Sequence, residues 1–219
     1  MKRIYVLIVS FVFLGYFLLT ACSSKSSQSA IGNSPQSSVN KIDKTYSTRL
    51  KQYKSFLQNE IYSETRSDGS WYLRDFCNRV VPGKTEDGIR YALFDMTDDG
   101  LPELHVLTDI SYSIHTVENN RLVTWYEGDR YNRPLNNRAI LQKIVSTGTH
   151  YVYMVLNSKG EEILYIGFSE PPGSNGKYLF NTGEDNVELS KSEWEKLTKP
   201  FLSIGSDKII WNDVNNLDF

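Results

Sequence analysis

Cysteine is scarce in this chain, because its 219 residues include only Cys22 and Cys77. The first follows an apolar N-terminal run and the second lies far inside the chain, so we expect no disulfide framework. Long runs of one charge sign are also missing, and the 24 basic and 26 acidic residues nearly cancel. Such a balanced charge does not attract nucleic acid or an anionic membrane surface, and we exclude nucleic-acid binding.

Motifs of the common enzyme classes are missing as well. The chain has no Gly-x-Ser-x-Gly, His-Glu-x-x-His, phosphate-loop or dinucleotide pattern. Its three histidines, His105, His115 and His150, stand on separate predicted strands without zinc or dyad spacing, so we interpret them as sheet residues. No catalytic activity can be read from these residues, and the balance favours a protein that is not an enzyme.

The N-terminus carries the only long apolar run, Ile4 to Leu19, which follows Lys2 and Arg3. The run is short for a membrane span and is interrupted by polar and small residues, as is typical of an export signal. The junction Leu19-Thr20-Ala21-Cys22 resembles the bacterial lipobox. That resemblance implies a lipoprotein signal peptide at residues 1–21 and acylation of Cys22, which would anchor the protein to the extracytoplasmic side of the cell membrane. The alternative is an uncleaved anchor helix.

Residues 22–40 are rich in Ser and contain almost nothing to bury, which predicts a lipidated, flexible tether. Residues 41–219 contain enough apolar residues for one folded domain. The predicted fold class is α+β, with a mostly antiparallel β meander packed by an N-terminal and a C-terminal helix.

Three helices are predicted. Apolar residues at helical spacing between Thr45 and Ser63 predict an amphipathic helix that packs on the sheet, with a membrane-lying helix as the alternative. A shorter helix is expected from Trp71 to Val81, where Cys77 is interpreted as a buried thiol rather than a nucleophile. A capping box at Ser190-Lys191-Ser192-Glu193 opens a helix that should end before Pro200.

Strand-like alternation begins after Gly88. Two strands, Ile89–Met96 and Leu104–Thr108, are expected to flank the acidic segment. A hairpin should follow at Ser111–Val117 and Arg121–Glu127, and then a three-stranded meander at Ala139–Ser146, His150–Leu156 and Glu162–Ser169. A short strand should follow at Tyr178–Asn181. Both faces of His150–Leu156 are apolar, which predicts a central strand covered by a helix on one side and by aromatic rings or another layer on the other.

The acidic segment Asp95–Glu103 places oxygen side chains at alternate positions beside a glycine. Calcium needs six or more oxygens at short range, and this spacing delivers them from a turn. The predicted ligands are Asp95, Thr97, Asp99, the Leu101 carbonyl and Glu103, while Asp98 should point into solvent. The alternative is a plain turn in which the aspartates accept backbone hydrogen bonds and no ion binds. Three carboxylates this close favour a weak calcium (Ca²⁺) site, because they repel one another unless something neutralises them.

The stretch Tyr91 to Leu104 resembles two kinds of sequence. One is the calcium loop of integrin-type FG-GAP repeats. The other is an Asp-x-(Asp/Asn)-x-Asp-Gly-x-Pro-Glu-Leu signature in uncharacterised lipoproteins of Gram-positive bacteria, whose order of lipobox, tether, helix and loop is also similar. The resemblance implies a location and a calcium loop, but no reaction. Thr97 departs from the pattern and offers a weaker ligand than a carboxylate.

Aromatic residues are frequent in the strand region, at Tyr112, Trp125, Tyr126, Tyr131, Tyr151, Tyr153 and Tyr165. Ordinary packing within a sheet explains them, and an exposed aromatic face for a protein, peptide or glycan is the alternative. We therefore expect a lipid-anchored binding or interaction module. A cell-envelope hydrolase with an unidentified site and an immunity-type lipoprotein are the alternatives.

Overall fold

A computed structural model of the protein describes residues 35–65, 69–78, 88–145, 149–171, 177–181, 186–217 and 219. Side chains are described from residue 44 onward, except those of 76–78. The predicted signal peptide at 1–21, the predicted lipidation site Cys22, most of the predicted tether and the Cys77 side chain therefore lie outside the described part.

The described residues form three helices and thirteen strands. The helices are α1 Pro35–Leu57, α2 Leu73–Asn78 and α3 Lys191–Leu202. The strands are β1 Ser63–Thr65, β2 Gly69–Trp71, β3 Arg90–Phe94, β4 Glu103–Leu107, β5 Ser111–Glu118, β6 Arg121–Asp129, β7 Asn132–Pro134, β8 Ala139–Val145, β9 Thr149–Leu156, β10 Glu162–Glu170, β11 Tyr178–Asn181, β12 Asn186–Leu189 and β13 Asn212–Asp213. None of these helices is long and apolar enough to cross a bilayer.

The strands divide between two sheets, which we name sheet A and sheet B. Sheet A has the order β13-β3-β4-β5-β6-β1-β2, and sheet B has the order β12-β11-β10-β9-β8-β7. Neighbours are antiparallel except for the short parallel pair of β1 and β6. The predicted α+β class with a mostly antiparallel meander is therefore confirmed.

Three apolar clusters arrange the layers. The first joins one face of sheet A to helix α1 through Tyr53 and Phe56. The second joins the outer face of sheet B to α3 through Trp194 and Phe201. The third lies between the sheets, where residues of β5 such as Ile114 cluster with residues of β8 and β9 such as Met154. The layers therefore follow the order helix, sheet, sheet, helix.

Strand β9 carries both apolar faces that its sequence predicts. Tyr153 and Val155 lie in the cluster under α3, and Val152, Met154 and Leu156 lie in the cluster between the sheets. Successive side chains of a strand point to opposite faces, so each set reaches a different layer. The second covering layer, which the sequence did not identify, is sheet A.

Helix α1 differs from its prediction at both ends. It begins at Pro35, inside the segment expected to be a tether, and proline suits a first helical position because it lacks only an N–H that would be unpaired there. It ends at Leu57 because Asn59 adopts a left-handed φ of 59°. The Asn59 N–H donates to the Phe56 carbonyl at 2.9 Å and the Glu60 N–H to the Ser55 carbonyl at 2.8 Å, which is a Schellman motif.

The other two helix predictions were partly wrong. Among the described residues the second helix covers Leu73–Asn78, and Trp71 belongs to strand β2, while the predicted end at Val81 lies outside the described part. Helix α3 has the predicted capping box between Ser190 and Glu193, but it continues through Pro200. Proline in the last turn leaves only one carbonyl, that of Lys196, without its helical donor, so the last turn persists.

Candidate functional site

The acidic segment Asp95–Glu103 connects β3 to β4, and we call it the acidic loop. The flanking strands pair directly, with Phe94 opposite Glu103. Gly100 has the positive φ of 81° that its place in the turn requires, and Asp98 is also left-handed at 64°. The predicted strand, loop and strand arrangement is therefore confirmed.

Asp95 organises the turn through its carboxylate. Oδ1 accepts the N–H groups of Thr97 at 3.1 Å and Asp98 at 2.7 Å, while Oδ2 accepts the N–H of Gly100 at 2.9 Å. Asp99 Oδ1 accepts the N–H of Leu101 at 2.8 Å in the same manner. Aspartate side chains commonly hold turns by binding the backbone a few residues on. These bonds are the ones expected of the plain-turn interpretation.

Glu103 is the last residue of the acidic loop, and its side chain is fully buried. Its Oε2 accepts the Met96 N–H at 2.8 Å, and its Oε1 lies 3.4 Å from Nη1 of Arg49. Burial raises the pKa of the Glu103 carboxyl to about 7, against the opposing effects of the Met96 N–H and the Arg49 guanidinium. The buried carboxyl therefore depends on these two donors.

Arg49 of α1 brings a cation to the loop. Its Nη1 lies 3.4 Å from both the Leu101 carbonyl and Glu103 Oε1, and its Nη2 lies 3.8 Å from Asp99 Oδ2. Its side chain is only 12% exposed. Three of the five predicted calcium ligands thus face a guanidinium. Sequence reasoning missed Arg49, although it is a lone cation on the apolar stripe between Tyr46 and Tyr53.

The oxygens of the loop are shared between backbone amides and the Arg49 guanidinium. The Asp95 carboxylate accepts hydrogen bonds from three backbone amides. One oxygen of Asp99 and one of Glu103 face Arg49. Of the five predicted ligands, Thr97 offers a buried Oγ1 that has no hydrogen-bond partner. Among the described residues no cluster of three or more His, Cys, Asp or Glu side chains is arranged to hold a metal. Calcium binding stays a prediction.

A second arginine holds the loop from the side of sheet B. Arg138, in the turn between β7 and β8, donates from Nε to the Asp95 carbonyl at 3.2 Å and pairs through Nη2 with Asp98. The Asp98 side chain is 71% exposed, as expected, but it does not simply point into solvent. Helix α1 and sheet B therefore both contact the acidic loop.

His105 and His115 lie inside the fold, on β4 and β5. The Nδ1 of His105 lies 2.7 Å from the Tyr112 hydroxyl. The Nε2 of His115 lies 2.8 Å from Ser113 Oγ, and its Nδ1 lies 3.1 Å from the hydroxyls of Ser63 and Thr124. Burial lowers the pKa of His105 to about 4 and that of His115 to about 3, so both rings are neutral at pH 7.

His150 stands apart from the other two histidines. It is part-buried on β9, where its Nδ1 lies 2.6 Å from Ser169 Oγ. The three histidines are thus sheet residues held by hydroxyl groups, as interpreted from the sequence. Their surroundings match structural hydrogen bonding in a packed interior.

The aromatic residues of the strand region are mainly packing residues. Tyr112 and Tyr153 are buried, and Trp125, Tyr126 and Tyr151 are half-buried. Only Tyr131 at 49% and Tyr165 at 39% are exposed among the seven. Ordinary sheet packing, which the sequence favoured, therefore accounts for most of them, and the continuous row of exposed rings that the alternative requires does not form from these seven.

No protein-family model matches the chain, and neither a curated protein nor a solved structure gives a significant match.

Proposed function

We propose that this chain is an extracytoplasmic, lipid-anchored surface protein whose folded part acts as a binding or interaction module. The observation that carries the anchoring is the lipobox-like junction Leu19-Thr20-Ala21-Cys22 behind a short apolar run with two leading cations. An acyl group on Cys22 would keep the folded part at the outer surface of the membrane, where it meets extracellular partners.

Support for binding rather than catalysis comes from the groups best suited to acid–base chemistry. His105 and His115 are buried in hydrogen bonds, Asp95 holds loop amides, and Glu103 pairs with Arg49. Groups engaged in this way stabilise the fold and are not presented to a substrate. A hydrolase would need two facing carboxylates in a polar cleft or a histidine beside Cys77, and an immunity-type lipoprotein is supported only by size and anchor.

The ligand class we propose is a protein, peptide or glycan. Tyr131 offers an exposed ring at the end of β6, with the Arg130 guanidinium carbon 4.9 Å from the ring centre and Arg130 Nη2 donating to its hydroxyl at 2.9 Å. An aromatic ring held by an arginine supplies contact area at a low cost in conformational entropy. Tyr165 on β10 offers a second exposed ring.

Anchoring is tested by labelling cells with an alkyne analogue of palmitate and following the protein by detergent phase partition. The wild-type protein should incorporate label and enter the detergent phase, and Cys22→Ala should do neither. Cys77→Ala is the matched control, because it removes the only other cysteine and should keep both properties. Equal labelling of the wild type and Cys22→Ala would rule out the proposed anchor.

Binding is tested by incubating the purified protein with cell-envelope proteins and a glycan array, with and without calcium. We expect a discrete ligand that Tyr131→Ala weakens about tenfold, since aromatic anchors often contribute more than 1 kcal/mol to a contact. Tyr46→Ala is the control, because Tyr46 is similarly exposed but lies on α1. Absence of any saturable ligand in both assays would count against a binding module.

A further inference from the structure

We infer that Arg49 is the built-in cation of the acidic loop and that it competes with divalent ions for the oxygens of Asp99, Leu101 and Glu103. The guanidinium would then neutralise the loop without calcium, and calcium would bind measurably only when the guanidinium is removed. This inference concerns the loop itself and stands whatever ligand the domain binds.

The first step is the convergence of oxygens on one guanidinium. The Leu101 carbonyl and Glu103 Oε1 each lie 3.4 Å from Arg49 Nη1, and Asp99 Oδ2 lies 3.8 Å from Nη2. Arg49 is 12% exposed and Glu103 is fully buried, so water contributes little to solvating either charge. Buried charges persist in proteins when they are paired, and Arg49 and Glu103 pair through Nη1 and Oε1, while the buried Nε of Arg49 has no hydrogen-bond partner.

The second step is that these oxygens are the ones the loop does not use itself. Both oxygens of Asp95 and one oxygen of Asp99 accept loop amides. Glu103 Oε2 accepts the Met96 N–H. The second oxygens of Asp99 and Glu103 and the Leu101 carbonyl face Arg49, and a calcium ion would have to take these three to approach the six oxygens it needs.

The third step is an oxygen that the arginine does not reach. Thr97 Oγ1 is buried and has no hydrogen-bond partner, and it occupies the third position of the predicted ligand series. The guanidinium of Arg49 does not satisfy this buried hydroxyl, which would be stabilised by coordinating a metal ion. The loop therefore keeps an unused ligand for the ion that Arg49 displaces.

The fourth step connects this competition to helix α1. Arg49 and Tyr53 are one turn apart on α1, and the Tyr53 hydroxyl donates to the Pro102 carbonyl at 3.0 Å. Because a guanidinium and a divalent cation repel each other at contact distance, an ion entering the loop must push the Arg49 side chain away from it. Binding of an ion to the acidic loop and packing of α1 against that loop are therefore coupled through the Arg49 side chain.

Thermal unfolding of the purified full-length protein in EDTA and in about 10 mM calcium chloride tests the inference, at a concentration chosen for the weak affinity of extracellular calcium modules. We expect the wild type to shift by less than about 1 °C and Arg49→Gln, although less stable in EDTA, to rise by about 3 °C or more with calcium. Arg49→Lys keeps the charge and should respond like the wild type. Potassium chloride at matched ionic strength is the control, because a monovalent cation does not compete for a site of carboxylate and carbonyl oxygens.

Two results would overturn the inference: the wild type gaining as much stability from calcium as Arg49→Gln, or neither protein responding. Should Arg49→Gln not fold, amide hydrogen exchange on the wild type decides the matter. The amides of Thr97, Asp98 and Gly100 should be equally protected in EDTA and in calcium, because Arg49 already neutralises the loop and the Asp95 carboxylate already holds these amides. Protection of these amides that appears only with calcium would refute a built-in cation.

Discussion

The Arg49 guanidinium and the Glu103 carboxylate lie 3.4 Å apart, although 54 residues separate them in the chain. One belongs to α1 and the other begins β4, so their contact exists only when the helix packs on sheet A. The contact places a positive charge beneath a loop that carries four carboxylates between Asp95 and Glu103. Removing Arg49 leaves the buried Glu103 carboxylate without its counter-charge, and removing Glu103 leaves Arg49 with only the more distant Asp99, at 3.8 Å.

Glu103→Ala is expected to lower the free energy of unfolding by about 3 kcal/mol, because the Met96 N–H loses its acceptor and Arg49 loses its nearest carboxylate. Glu103→Gln should cost less, about 1 kcal/mol, since an amide oxygen still accepts a hydrogen bond and no carboxyl charge is buried. Urea unfolding at pH 7 measures both. Glu188→Ala removes an exposed carboxylate paired with Lys177 and should change little. Similar losses for Glu103→Ala and Glu188→Ala would contradict the buried pair.

Acidification should destabilise the protein through its buried histidines. The folded-state pKa of His115, about 3, and that of His105, about 4, lie below the ordinary value of 6.5. The unfolded chain therefore binds more protons between those limits, so stability is full above pH 6.5 and falls as the pH drops toward 4. Each histidine contributes a slope of about 1.4 kcal/mol per pH unit.

Glu103 acts in the opposite direction, because its pKa is raised to about 7 and its contribution is lost as pH rises from 4.5 toward that value. The two histidines outweigh it below pH 6.5. Urea unfolding of the wild type and His115→Gln at several pH values from 7 down to 4.5 should show a shallower pH dependence for the variant, because one proton difference is removed. Parallel pH profiles would show that His115 does not titrate on unfolding.

Gly160→Ala should destabilise the protein by about 2 kcal/mol, because overpacking adds to backbone strain. A Cβ at Gly160 would lie 2.3 Å from the Trp125 ring, and its φ is 68°. Gly100→Ala is the matched control, since its φ of 81° imposes similar strain but a Cβ there meets nothing within 4 Å. Chemical denaturation should find Gly160→Ala the less stable variant, and equal values would exclude close packing of Trp125 on this turn.

Ser190→Ala should cost about 1 kcal/mol of stability, because it removes the helix cap of α3. The Ser190 hydroxyl accepts the Glu193 N–H at 3.3 Å, and the Glu193 carboxylate accepts the Ser190 N–H at 3.0 Å. Ser192→Ala, at an exposed position in the same turn, is the control and should be nearly neutral. Thermal unfolding distinguishes them, and a neutral Ser190→Ala would mean that the packing of Trp194 and Phe201 alone holds the helix.

Short-range patterns in the chain were sufficient for most strands and for the start of α3. The hairpin of β5 and β6 closes at Asn119 and Asn120, whose φ values of 49° and 63° are those that asparagine tolerates well. The Ser190 capping box likewise involves groups three residues apart. These features depend on neighbours in sequence, so local chemistry is enough to predict them.

Helix boundaries were less predictable. The early start of α1 at Pro35 falls in a stretch rich in Ser, whose composition favours a tether. Helix propensity is a weak preference that neighbouring structure often overrides. The two apolar faces of β9 indicated two covering layers, but alternation alone does not say whether a layer is a helix or a sheet.

The amino-acid sequence alone was enough to predict the meander and the strand, turn and strand arrangement around Gly100, because each depends on residues close together in the chain. The lipobox-like junction at Cys22 is also a local pattern, and the lipid anchor that it implies stays a prediction. The source of the positive charge beside the carboxylates of the acidic loop was decided by tertiary packing. Arg49 reaches the loop only because α1 lies across sheet A, and a contact between residues so far apart in the chain depends on the whole arrangement of layers.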